Sequence, residues 1–179
     1  MPGADYFLTI CVERPASNLA DSAVAAELFA QADRMENEGN WTSRSAVIMP
    51  DHLHLVVTLR TGTLAAAVRL FKGRSAGALR RAELHWQPSF FDHRLRASDE
   101  LPSIFRYIQL NPYRSRLLPF TEAWPAYRCC PEDWAWFEPT TNNGLPWPEW
   151  ADADPPVPGA SAGDEVSGKS GVKPDLRRT

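Results

Sequence analysis

The sequence predicts an α+β domain: a ferredoxin-like antiparallel sheet with helices packed mainly on one face. Three observations lead there. Runs rich in β-formers and runs with apolar residues at helical spacing follow each other in the order β-α-β-β-α-(β)-α as far as residue 118, the order of a split β-α-β unit. Only Pro50-Asp51 separates the second strand from the third, so the two pair antiparallel through a tight turn. The third run, His52 to Leu59, is almost unbroken in its apolar character, as a central strand covered on at least one face should be.

The first strand is Tyr6 to Val12, dense in aromatic and β-branched residues. A loop containing Pro15 and Asn18 leads to Asp21 or Ser22, either able to cap a helix over residues 22–37. Val24, Leu28, Ala32 and Met35 form its apolar stripe, and Glu38-Gly39-Asn40 ends it. Arg44 to Met49 reads as the second strand. After Thr61-Gly62-Thr63, a helix over residues 63–84 carries Leu64, Val68, Phe71, Leu79 and Ala82 on one side, with most of its arginines off that stripe. The segment His85 to Arg96 is aromatic-rich and extended. Ser98 or Asp99 caps a third helix with Pro102 in its first turn, where the missing N–H costs little. Leu101, Ile104, Phe105 and Ile108 are its buried stripe, and Pro112 predicts an end or kink at Asn111.

Composition divides the 179 residues into three parts: a folded unit over 1–128, a Trp- and Pro-rich wrap over 129–150, and a tail over 151–179 with no aromatic residue and the make-up of a disordered segment. No run approaches the length of a membrane span. Three cysteines, Cys11 and the adjacent Cys129-Cys130, give neither a zinc spacing nor a disulfide set, which suits a reducing cytoplasm.

The net charge of −3 conceals an asymmetry. Residues 1–59 carry three Lys/Arg against eight Asp/Glu, residues 60–118 eleven against four, and residues 119–179 five against ten. A basic middle between acidic ends is the footprint of a polyanion binder. Arg69, Lys72, Arg74, Arg80, Arg94, Arg96, Arg114 and Arg116 are its candidate phosphate contacts.

Two constellations carry chemistry. His52 and His54 flank one apolar residue on a strand, so both imidazoles share a face and can ligate one metal ion. Tyr107 and Asn111 are four residues apart on the third helix and share a flank. Asp51, next to His52, can either orient its ring from behind or cap the strand turn.

Met49-Pro50-Asp51-His52-Leu53-His54 resembles the MP[ND]HxH signature of the HUH single-tyrosine transposases. Tyr107-Ile108-Gln109-Leu110-Asn111-Pro112 is similar to the YIxxNP motif of their REP-associated branch, as is the Trp86 to Arg96 segment with its FxDHxLR core. Motif order and spacing agree over residues 5–128. The resemblance implies metal-dependent cleavage and rejoining of single-stranded DNA at hairpin-bearing repeats. Tyr107 would be the nucleophile, and His52, His54 and Asn111 would hold Mg²⁺ or Mn²⁺. The partner would be single-stranded hairpin DNA, with no membrane, and the protein a monomer or homodimer. A second reading keeps the fold and the hairpin recognition without transposition, as a domesticated DNA-binding protein.

Overall fold

The computed structural model describes residues 1–13, 18–96 and 101–152. Its elements are β1 (Asp5–Cys11), α1 (Ser22–Asn37), β2 (Trp41–Ile48), β3 (His52–Leu59), α2 (Leu64–Arg81), β4 (Phe91–Arg94), α3 (Leu101–Arg114), β5 (Tyr127–Cys129) and α4 (Pro131–Phe137), followed by two short 3₁₀ turns. The strands form one sheet in the order β4-β1-β3-β2-β5, with every pair antiparallel. The apolar β3 is central, as its composition predicts.

Side-chain alternation sorts the sheet into two faces. Leu8, Ile10, Leu53, Leu55 and Val57 point to one and join α1 and α2 around Trp41 and Phe71. Burying each such large side chain contributes about 1.5–3 kcal/mol. Phe7, Val47 and Val56 point to the other and meet Ile104, Phe105 and Ile108 of α3 and Phe137 of α4. The α+β antiparallel sheet is as expected, but the helices divide two and two between its faces. An amphipathic stripe says that a helix is covered, not which side of a sheet covers it.

A bulge in β2 keeps its alternation in step with both cores. Ser43 opposes Val57 and Ser45 opposes Val56, so Arg44 is the extra residue. That insertion lets odd-numbered Trp41 and even-numbered Ala46 and Ile48 share the α1/α2 face. Arg44 donates to Asp133 of α4 through Nε at 2.9 Å and Nη2 at 2.6 Å, and to Asp5 of β1 at 2.8 Å. Its guanidinium also lies 5.8 Å from the Phe105 ring centre.

Asp21 caps α1 by accepting from the Ala23 and Val24 amides, and Thr63 caps α2 by accepting from Ala66. The expected caps Ser98 and Asp99, Pro15, and the tail beyond Asp152 lie outside the described residues. The third helix does not end before Pro112. It continues through Pro112 to Arg114, and the Asn111 side chain donates to the Tyr107 carbonyl one turn back at 2.9 Å. The expected boundary at 128/129 falls inside β5. The following segment is helical in part, with Trp134, Trp136 and Phe137 closing the α3 face. No described helix is long and apolar enough to cross a membrane.

Candidate active site and nucleic-acid interface

His52 and His54 both stand on the β3 face that meets α3. Across the sheet His52 pairs with Cys11, while His54 has Thr9 on one side and Val47 on the other. The two rings are 4.5 Å apart, and their Nε2 atoms approach to 3.1 Å. The outer nitrogens are held from behind. His52 Nδ1 lies 2.6 Å from Asp51 Oδ1, and His54 Nδ1 lies 2.9 Å from the Thr9 hydroxyl. A proton on His52 Nδ1 facing the carboxylate leaves its Nε2 with a lone pair. The hydrogen bond from His52 holds the Asp51 carboxyl below the usual range against the effect of burial. Burial, then the neighbouring His52, pushes the His54 imidazole well below its ordinary value, while a bond to the Leu8 backbone opposes them. His54 is therefore neutral at physiological pH, the form a metal ligand needs.

Two nitrogen ligands at right angles around an ion, each about 2.1 Å from it, are about 3.0 Å apart. The observed 3.1 Å matches that spacing. Among the described residues no cluster of three or more His, Cys, Asp or Glu joins the pair, so further protein donors have to come from another residue type.

The α3 face supplies the other half of the site. Tyr107 sets its ring 5.5 Å from that of His54 and 5.9 Å from that of Phe7, which stacks on His54 at 5.1 Å. Burial raises the Tyr107 phenol, while the Asn111 side chain and the Arg114 charge pull it down; the net shift is upward. Tyr107, Asn111 and Arg114 follow at i, i+4 and i+7, one flank of the helix. A carbonyl accepts only, so the Asn111 group facing Tyr107 O is its NH₂. The amide oxygen is left for another partner. Arg114 donates to the Trp150 carbonyl at 3.0 Å, and Arg106 lies 4.5 Å over the Trp150 ring. Sequence reasoning missed Thr9, which a threonine in a strand does not advertise.

The candidate phosphate contacts separate into groups. Arg74 is paired with Glu38, just past the end of α1, at 2.6 Å. Lys72 donates to the Gln87, Pro88 and Ser89 carbonyls at 2.9, 3.4 and 2.7 Å, so its ammonium braces a loop. Arg94 opposes Tyr6 in the β4–β1 ladder, on the sheet face away from the histidines, whereas His93 opposes Phe7 on the histidine face. Arg96 follows β4, and Arg116 is exposed beyond α3 with a positive φ of 54°. Arg69 and Arg80 are exposed on α2 and line a groove with Trp86 and Phe90. Only Arg114 shares a helix flank with Tyr107.

Comparison with known proteins agrees with this architecture. A structure described as a REP-associated tyrosine transposase bound to a REP hairpin matches with a TM-score of 0.62 and 22% identity, covering 71% of this chain and 77% of that one. A crystal structure of a candidate transposase from Deinococcus radiodurans matches with a TM-score of 0.44 and 18% identity, covering 63% of this chain and 84% of that one. No curated protein matches the sequence. The first of these shares the fold of this chain, a five-stranded antiparallel sheet with the α3 helix laid across the histidine face. The model of the IS200-like transposases matches residues 4–111, more than half of the sequence, and the chain belongs to that family.

Proposed function

We propose that this protein cleaves and rejoins single-stranded DNA at hairpin-bearing repeats, with Tyr107 as the nucleophile. The observation that carries the reading is one juxtaposition: paired imidazoles with Nε2 atoms 3.1 Å apart, and a tyrosine ring 5.5 Å from one of them on the same sheet face. Phosphodiester cleavage needs a nucleophile and a way to neutralise charge on the phosphate. In the proposed step the Tyr107 oxygen loses its proton and bonds to phosphorus. The bond from phosphorus to the 3′ oxygen breaks, and that oxygen leaves as a free 3′-OH once protonated. The 5′ end stays on the tyrosine, so a 3′-OH can reverse the reaction without an external energy source.

The donor set fits a divalent cation. His52 and His54 would supply nitrogen, Asn111 its amide oxygen, and water the rest. This mixed set suits Mn²⁺ at least as well as Mg²⁺, which prefers oxygen throughout. Such an ion, when bound, polarises the phosphate and lowers the cost of developing negative charge. Asp51 and Thr9 hold the ligand rings in place, and Arg114 puts a positive charge beside the tyrosine.

Analysis of the product ends tests the reading. A hairpin oligonucleotide incubated with the protein and Mn²⁺ should yield one fragment with a 3′-OH that a polymerase extends, and a second whose 5′ end is blocked. Fragments with two free ends would point instead to hydrolysis by water. Binding without cleavage on REP-like hairpins would favour the domesticated DNA-binding protein.

A further inference from the structure

Two strands and a helix meet at three rings. His54 comes from β3, Tyr107 from α3 and Phe7 from β1, and their ring centres form a triangle with sides of 5.1, 5.5 and 5.9 Å. The proposed chemistry uses the first two and leaves Phe7 without a role. Phe7 is opposite Val56 of β3 and His93 of β4, and two residues along from Thr9, which is opposite His54. Residues diagonal across an antiparallel pair are within reach of an aromatic side chain. The first strand therefore touches the His54 ring twice. The Thr9 hydroxyl meets Nδ1 at 2.9 Å, and Phe7 stacks on the ring with 30° between the two planes. The hydrogen bond fixes which nitrogen faces β1, and the stack limits the tilt of the ring. Towards Tyr107 the same Phe7 ring stands at 77°, an edge-to-face contact. Both arrangements are ones that aromatic quadrupoles favour. An aliphatic side chain in its place would offer both partners a rounded surface with no preferred angle.

We propose that Phe7 is a positioning residue that sets the ring of the nucleophile against the ring of the metal ligand, an inference that rests on the roles of Tyr107 and His54 proposed above. Phe7 is 6% exposed and His54 5%, so neither has room to reorient in a close-packed interior. Tyr107 is half-buried and arrives from a separate element, so its ring takes its position from the two it meets. An error of about 1 Å in placing a reacting group can cost about 100-fold in rate. If Phe7 only filled volume, it would behave like Phe137 of α4, which belongs to the same core cluster. Phe137 is 1% exposed, and its ring contacts are Phe105, Trp134 and Trp136. The same substitution at both positions separates filling from positioning.

The test compares Phe7→Leu with Phe137→Leu in the full chain. Four quantities are read: single-turnover cleavage at saturating hairpin DNA and Mn²⁺, hairpin affinity, Mn²⁺ affinity by calorimetry, and proton NMR of the metal-free protein. Phe7→Leu should cleave roughly 10- to 100-fold more slowly while binding the hairpin as wild type does. It should lose about 10-fold in Mn²⁺ affinity, and its His54 ring resonances should lose the shift caused by the Phe7 ring current. Phe137→Leu should leave all of these at wild-type values. Should Phe7→Leu fail to fold, Phe7→Met, which fills the space without a flat ring, takes its place with the same expected values. Equal effects of the two leucine variants, or cleavage and hairpin affinity falling together in Phe7→Leu, would overturn the assignment. The two readings fail separately. No adduct in wild type removes the cleavage chemistry, while calorimetry and NMR still decide whether Phe7 sets the His54 ring. A normal adduct in wild type, with Phe7→Leu indistinguishable from Phe137→Leu, removes Phe7 alone.

Discussion

His52 and His54 bring their Nε2 atoms to 3.1 Å while Asp51 and Thr9 hold the far side of each ring. Two lone pairs at that distance repel unless a cation or a proton lies between them. On the metal-dependent reading proposed above a cation takes that place, and the residues behind the pair matter. Thr9→Val should lower Mn²⁺ affinity about 10- to 100-fold without loss of fold, and Asp51→Asn should do the same. His54→Ala should lower it further. Calorimetric titration with Mn²⁺ reads all three; wild-type affinity in Thr9→Val would show that the hydroxyl does not orient the ring.

Arg44 ties three elements together, and its ion pair with Asp133 is mostly buried, the side chains being 18% and 8% exposed. Arg44→Ala leaves Asp133 uncompensated and should destabilise the fold by about 3–5 kcal/mol, measured by urea denaturation.

The same pair sets an acid limb. Burial raises the Asp133 carboxyl, but hydrogen bonds from Arg44, Cys130 and Trp136 outweigh it, and the net position is below the ordinary 3.8. A carboxyl depressed in the folded state contributes stability above its unfolded value. That contribution is lost as pH falls through 3.8 and below. Asp133→Asn should flatten the stability curve in that window, read as the urea midpoint against pH.

The thiols should be inert in the native protein. Burial, with the charges of neighbouring groups, pushes Cys129 to about 12 and Cys130 to about 11, and burial followed by Asp51 raises Cys11. Only the thiolate reacts. Iodoacetamide at about pH 8 should leave all three unlabelled until the chain is unfolded, as mass spectrometry would record.

Much of this was legible in the sequence because local pattern and tertiary structure agree. The spacing over Ser22–Asn37 and His52–Leu59 gives an element with its observed bounds, and alternation places both histidines on one face. What was hidden depends on partners distant in the chain. The β5 strand is three residues long and exists because β2 has a free edge. The helix α4 carries Pro131, Glu132 and Asp133 in its first turn, a sequence-level start signal obscured by tryptophans. Arg44 reads as an ordinary strand residue until the bulge frees it, and Lys72 reads as a phosphate contact until a loop closes over it.

With the Tyr107 phenol raised above its usual value near 10, the phenolate is scarce at neutral pH. Cleavage should accelerate as pH rises from 7 to 9 without levelling off, because the group is still titrating. A plateau below about pH 8 in single-turnover rates would argue against Tyr107 as the titrating group.

The most direct test of the tyrosine chemistry is a denaturing gel of labelled hairpin DNA with Mn²⁺, comparing wild type with Tyr107→Phe. The account expects a protein–DNA adduct that requires metal and is absent in the variant. Cleavage that persists in Tyr107→Phe, with no adduct in wild type, would contradict it.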